Sequence, residues 1–149
     1  MRENFDSAFA ELVKNEGDFV DNPADPGGAT RYGITERVAR ENDYIGDMRD
    51  LPIELARTIA KKTYWDAIGG DDLPNGLDFT VFDACYNSGE SRAKEWLAKA
   101  APKEGELADP IIMRFSAYRL LFMCDLKTWP NFGRGWARRI ANNLLHAAS

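Results

Sequence analysis

Apolar positions recur at helical spacing along most of this chain. Phe5, Phe9, Leu12 and Val13 share one face of a first helix, and Gly17 is placed to end it. The following stretch, DFVDNPADPGGATRYGIT, is dense in Gly, Pro, Asp and Asn, and predicts an ordered loop with room for one short hairpin. Thr35 can cap a short helix over 36–42. Pro52 suits the first turn of a second long helix, where Leu55, Ile59 and Tyr64, with Ala56, Ala60 and Ala67, give an apolar side. After the break GGDDLPNG, the pattern predicts helices over 76–87 and 90–100. PKEGELADP reads as a linker or surface loop. Asp109 and Pro110 then read as the cap and first turn of an apolar helix to about residue 124. Pro130, Gly133 and Gly135 precede a last helix with Trp136, Ile140 and Leu144 on one side. The fold class predicted is mainly α, with a short loop or hairpin after the first helix.

Composition narrows the possibilities. The chain has 149 residues, 44% hydrophobic and 29% charged, which is enough to bury a core and ordinary for a folded globular protein. No window approaches the roughly 18 apolar residues of a membrane span, and the N-terminus lacks the apolar core of a classical signal peptide. Cys85 and Cys124 lie far apart in apolar stretches, so two reduced, buried thiols are expected. Neither a coiled-coil heptad nor a self-pairing strand is evident, and a monomer is expected, with neither nucleic acid nor membrane as partner.

The net charge of −5 hides an asymmetry. Residues 111–149 carry six Lys/Arg against Asp125 alone, a net of +5, while residues 1–110 carry a net of −10. A basic final third can bind an anionic polymer; it can equally be attracted to the acidic body of its own chain. With two cysteines and one histidine there is no zinc-like ligand set, and no metal or other cofactor is expected. His146, three residues from the end, is expected at the surface, where it suits no nucleophilic triad. There is no phosphate-binding GxxxxGK loop. Any chemistry must come from carboxylates.

Glu16 stands out by its phase. It lies four residues after Leu12, three after Val13 and seven after Phe9, on the buried face at the C-terminal end of the first helix. Partial burial and the negative end of the helix dipole both favour the protonated form that a glycosidase acid needs. A boundary glutamate that simply pairs with an arginine would have the same phase. Nine residues on, Asp25 sits between Pro23 and Pro26, and Thr30 follows five later. A firmly held loop of this kind can set a second carboxylate across from the first, as inverting glycosidases require, with the Thr30 hydroxyl holding the water between them. Asp25 can instead cap a turn by bonding the amide of Gly27, and Asp21 is an alternative partner.

Several of these residues resemble one family. Glu16-Gly17, the run Asn22-Pro23-Ala24-Asp25-Pro26-Gly27-Gly28-Ala29-Thr30, and Tyr32-Gly33-Ile34-Thr35 look like the signature of glycoside hydrolase family 108. Tyr64-Trp65, the run from Asp83 to Gly89 and Gly135-Trp136-Ala137-Arg138-Arg139 resemble it further along. The resemblance implies a lysozyme-like helical fold. It also implies a phage or bacterial N-acetylmuramidase, endolysin-like, that cleaves the β-1,4 bond between N-acetylmuramic acid and N-acetylglucosamine in bacterial cell-wall peptidoglycan. It makes Glu16 the catalytic acid. The Glu16, Asp25 and Thr30 spacing also resembles the phage-type lysozyme triad, one residue short before Thr30. Asp18 stands where the family often has a second glycine; it can bear on the acid or face solvent.

On the same resemblance, residues 1–105 form the catalytic region and 106–149 a small helical peptidoglycan-binding region packed on it. Release through a holin-type pore, or dedicated secretion, would carry the protein from cytoplasm to cell wall. Binding candidates are Asp83 and Asn87, which share a helix face, and Tyr32, Trp65 and Tyr86, which can stack on sugar rings. Asp83 can equally pair with an arginine, and the aromatics can equally be core. The rival functions are a lytic transglycosylase, which needs one glutamate and no catalytic water, a non-catalytic peptidoglycan-binding protein, and a protein–protein adaptor with a degenerate site.

Overall fold

The structure is a computed structural model that describes residues 2–23 and 27–149. Its order is α1 (Arg2–Glu16), a small sheet of β1 (Phe19–Val20), β2 (Thr30–Arg31) and β3 (Ile34–Thr35), then α2 (Glu36–Glu41), α3 (Ile53–Ala60), α4 (Leu77–Ser88), α5 (Glu90–Ala100), α6 (Ala108–Cys124) and α7 (Trp129–Ala147). The mainly α, lysozyme-like expectation holds. None of the described helices is long and apolar enough to cross a membrane.

α4 is the axis of the molecule. Every side chain from Leu77 to Cys85 is buried, so the helix is covered all round rather than along one stripe. α1 packs on it through Phe5, whose ring meets Phe82 and Trp65 edge-on at 5.9 and 5.4 Å. α5 and α6 close another side, where Trp96 contacts Phe115 and Phe122. Ile111, Ile112 and Phe115 of α6 belong to the same apolar cluster as Leu12 of α1 and Val81 of α4. The last third of the chain therefore shares one core with the rest.

The segment after α1 holds more regular structure than a single hairpin. β1 pairs antiparallel with β2, and β2 with β3. The turn between β2 and β3 consists of Tyr32 and Gly33, both at positive φ (52° and 76°), as the tightest hairpin turns require. Thr35 then caps α2, its hydroxyl accepting from the Val38 amide as expected.

Four local expectations are corrected. Asp109 lies inside the first turn of α6, and Leu107 occupies the cap position without a side-chain bond. α7 begins at Trp129, with Pro130 in its first turn, where a missing N–H costs nothing; Gly133 and Gly135 are helical rather than breakers. Cys124 is exposed although Cys85 is buried; both are free thiols. His146 is half-buried, its ring edge-on to Phe79 at 4.7 Å.

Candidate active site

Glu16 is the last residue of α1, and Gly17 (φ 74°) turns the chain away behind it. Its side chain is 19% exposed, set at the junction of the helical body and the sheet. The Tyr32–Gly33 turn presses on it. A Cβ at Gly33 would stand 2.9 Å from Glu16 Cγ and 2.6 Å from Tyr86 Cε1. The Tyr86 hydroxyl donates to the Tyr32 carbonyl at 2.9 Å and so ties the turn to α4. Burial pushes the Tyr86 phenol well above its ordinary range, which keeps it a neutral donor. Tyr64 lies against it, ring centroids 4.5 Å apart, and its phenol is pushed up to about 12, again mainly by burial.

The partner of Glu16 comes from the far end of the chain. Arg139 Nη2, on α7, donates to Glu16 Oε1 at 2.5 Å. The same guanidinium donates through Nη2 and Nε to Asp83 at 2.8–3.1 Å. Asp83 is wholly buried in α4 and also accepts from Arg119 Nη1 at 2.8 Å and Asn143 Nδ2 at 2.6 Å. Two carboxylates thus meet two guanidinium groups, and the cluster is neutral when both acids are ionised. Burial pushes the Asp83 carboxyl up, but Arg119 and Arg139 outweigh it and hold it below the usual carboxylate range. Burial likewise opposes the Arg139 cation, and Asp83 and Glu16 more than restore it, so its proton is held more tightly than usual.

The other sequence candidates are distributed as follows. Asp83 has no surface to offer a sugar: it is a buried counter-ion, the arginine-paired alternative. Trp65 is also fully buried, wedged between Phe5 and Phe82, with its Nε1 donating to Asp71 at 3.0 Å. Neither can contact substrate in this conformation. Tyr32 and Tyr86 are half-buried beside Glu16, and Asn87 is exposed one turn beyond Asp83, accepting from Arg119 at 3.2 Å. Thr30 is half-buried in β2, its hydroxyl donating to the Val20 carbonyl at a long 3.4 Å. Asp25 lies outside the described residues. Asp18 is exposed and paired with Arg31 at 3.2 Å, so its charge is met there. Among the described residues no His, Cys, Asp and Glu group suited to a metal occurs.

Sequence reasoning named Asp83 and Glu16 but not their partners Arg119, Arg139 and Asn143. A signal was present. Asp83 interrupts a run, FTVFDAC, too apolar to leave a carboxylate unpaired, and Arg139 and Asn143 are one helical turn apart on the α7 face that carries Ile140.

The structure sets a half-buried glutamate between a helical body and a small sheet. Residues 9–89 match the family model of glycosyl hydrolase 108, more than half of the chain, and the chain belongs to that family. The solved structure of Brucella abortus SagA is similar over nearly the whole length, with a TM-score of 0.87 and 29% identity, covering 99% of this chain and 95% of that one. No curated protein sequence matches this chain. Family membership makes it a glycoside hydrolase and is consistent with a peptidoglycan substrate.

Proposed function

We propose that this chain is an N-acetylmuramidase, cleaving the β-1,4 bond between N-acetylmuramic acid and N-acetylglucosamine in peptidoglycan with Glu16 as general acid. The observation that carries the reading is the placement of Glu16. It is a partly exposed carboxylate at a helix end, held against the Tyr32–Gly33 turn, at the junction of helical body and sheet. In this mechanism Glu16 gives its proton to the glycosidic oxygen as the bond to the sugar breaks. Arg139 holds the carboxylate while the site is empty, so in this mechanism Glu16 must take up a proton and leave Arg139 Nη2 before it can give that proton to the glycosidic oxygen.

Asp25 is proposed as the base that activates water on the opposite face. Its part rests on its spacing from Glu16. Thr30 is proposed to orient that water, and the weakness of its 3.4 Å bond leaves the hydroxyl free to turn. Tyr32, Tyr86 and Asn87 are proposed as the residues that touch sugar.

Mass spectrometry of purified murein after digestion tests the proposal. Products one water heavier than the anhydro-sugars are expected. Anhydro-muramic ends would show a transglycosylase instead. Glu16→Gln keeps size and polarity but cannot give up an acid proton, and is expected to lower the rate by about 10²–10⁴-fold with an unchanged circular dichroism spectrum. A variant that keeps more than about a tenth of the activity would remove Glu16 from the role.

A further inference from the structure

α6 is apolar on every side. Its inward face carries Ile111, Ile112, Phe115 and Met123, together with Arg119, which reaches in to Asp83. Its outward face carries Pro110, Met113, Ala117, Leu120, Leu121 and Cys124 and no charged residue. Arg114, at its edge, is turned to Glu106 and the Ala100 carbonyl. Met113 is 67% exposed and Leu121 62%, and of the six only Leu120 is half-buried. A helix without a polar side belongs in an interior, yet among the described residues nothing covers this face. Met113, Ala117, Leu120 and Cys124 are spaced by four, three and four residues, the seam of a helix pair. The face runs on toward α7, where Met113 borders an apolar hollow of about 190 Å³ with Ile112, Leu144, Ala147 and Ala148.

We propose that this face pairs with the same face of a second copy, α6 antiparallel to α6, about a two-fold axis at Ala117. The residue pattern is self-complementary about that point. Ala117 is small and lets the two helices approach to about 8–10 Å. Met113 and Leu121 stand four residues to either side of it, and Pro110 and Cys124 seven, so each apolar side chain meets an apolar counterpart. The rim matches as well. Asp109 lies at the start of α6 and Lys127 just past its end; both are exposed, and neither takes part in an ion pair among the described residues. Antiparallel pairing brings Asp109 of each copy to Lys127 of the other. One charge of each sign suits a second copy, whereas an anionic membrane would call for a basic border that α6 does not present outward. Size sets the strength. α6 has 17 residues and is about 26 Å long. A face of that length, two helices wide, buries about 1,000 Å² over both copies, at the low end for a specific interface. The dimer is therefore weak, with a Kd on the order of 10–100 µM, and replaces the monomer expected from the sequence. A stripe shorter than two heptads is no coiled-coil signal by itself; its exposure is what the structure adds. The inference does not depend on the muramidase reading, since Arg119 reaches the Asp83 cluster from the opposite side of α6.

The test is sedimentation equilibrium of the unaltered chain from about 2 to about 500 µM. The average mass is expected to rise from one chain toward two, at roughly 0.5 M salt as at low salt, because the contact is mainly apolar. Ala117→Glu sets two like charges together at the axis and is expected to hold the chain monomeric throughout, with an unchanged circular dichroism spectrum. In a Cys124→Ser background, Ala117→Cys should become disulfide-linked to a second copy in a glutathione redox buffer, because a residue on the axis meets itself. Met113→Cys should not, because its counterpart lies about 12 Å further along the helix. A chain that stays monomeric at about 500 µM overturns the proposal, and binding of that monomer to phosphatidylglycerol vesicles would assign the face to a membrane instead. Association that survives Ala117→Glu, or cross-linking at Met113→Cys in preference to Ala117→Cys, overturns the pairing about Ala117.

Discussion

Arg139 donates to Glu16 at 2.5 Å across 123 positions of sequence, and the same side chain holds the buried Asp83. The final helix is therefore built into the candidate site. Arg139 lies outside the 9–89 stretch that matches the family model, yet the charge on Glu16 is balanced by it. A single guanidinium, anchored from behind by the fully buried Asp83, holds the Glu16 carboxylate.

Gly33 sets the other wall of the site. Its φ of 76° is strained for any L side chain, and a Cβ would meet Tyr86 and Glu16 at 2.6 and 2.9 Å. Both neighbours are held, Tyr86 by its bond to Tyr32 and Glu16 by Arg139. Gly33→Ala is expected to cost about 1 kcal/mol or more in urea unfolding and to displace Glu16. Activity should fall more than stability explains. Unfolding midpoints and murein clearance, measured on the same preparation well below the midpoint, check this; full activity would show that the turn does not position the acid.

Most of the helices were legible because they bury an apolar stripe, whose 3.6-residue period is visible in a single sequence; α4, covered all round, shows instead as a nearly unbroken apolar run. α4 and α5 fall within a residue of their expected bounds, and α1 ends at Glu16, just before the expected stop at Gly17. The start of α7 was not legible. Pro130, Gly133 and Gly135 have low helix propensity, and packing of Trp129 against Trp136 overrides it. The site was half legible. Phase singled out Glu16, and the run around Asp83 held a carboxylate that needed a cation. Which arginines answer them is a long-range pairing that no local pattern encodes. Trp65 shows the same limit in reverse: an aromatic beside a family motif can be core, and only packing shows which.

Asp83 makes the stability of the fold depend on pH in a definite direction. Arg119 and Arg139 hold its carboxyl below the ordinary value of about 3.9. A group depressed on folding stabilises the protein above the unfolded value and ceases to as pH falls through the folded one. Acidification below about pH 4 is thus expected to weaken the native state by protonating Asp83 and leaving two guanidinium groups buried without it. Asp83→Asn should bring much of that loss to neutral pH, about 3–5 kcal/mol, as when one partner of a buried ion pair is removed. Denaturant titrations at pH 7 and pH 3 on both proteins measure it. Equal stability at pH 7 would mean that the cluster contributes nothing net.

Asp25→Asn tests the proposed second carboxylate. If Asp25 is the base, the rate should drop about 100-fold or more with little change in melting temperature. The first product released from the β-linked polymer should be the α anomer, read by NMR in an early time course. A β anomer means retention and removes Asp25 from the role even where the mutant is inactive. A fallen melting temperature with modest loss of activity would point to turn capping.

The basic final third was expected to bind an anionic wall through its net charge of +5, or to be attracted to its own chain. Much of that charge is spent internally: Arg119 and Arg139 neutralise Asp83 and Glu16, and Arg114 makes a paired contact with Glu106 at 2.7–2.9 Å. Lys127, Arg134 and Arg138 are exposed and remain for an outside partner. Because surface charges are screened within about 10 Å at 0.1 M salt, attraction through three side chains should be modest and salt-sensitive. Murein binding is expected to weaken severalfold between low salt and roughly 0.5 M, and the triple replacement of these residues by glutamine should remove most of that dependence. Pull-down of the Glu16→Gln protein on purified murein reads both. Binding equal at the two salt levels would leave stacking on Trp136 and hydrogen bonding as the means of attachment. A salt dependence that survived the triple variant would place the charge contact elsewhere on the molecule.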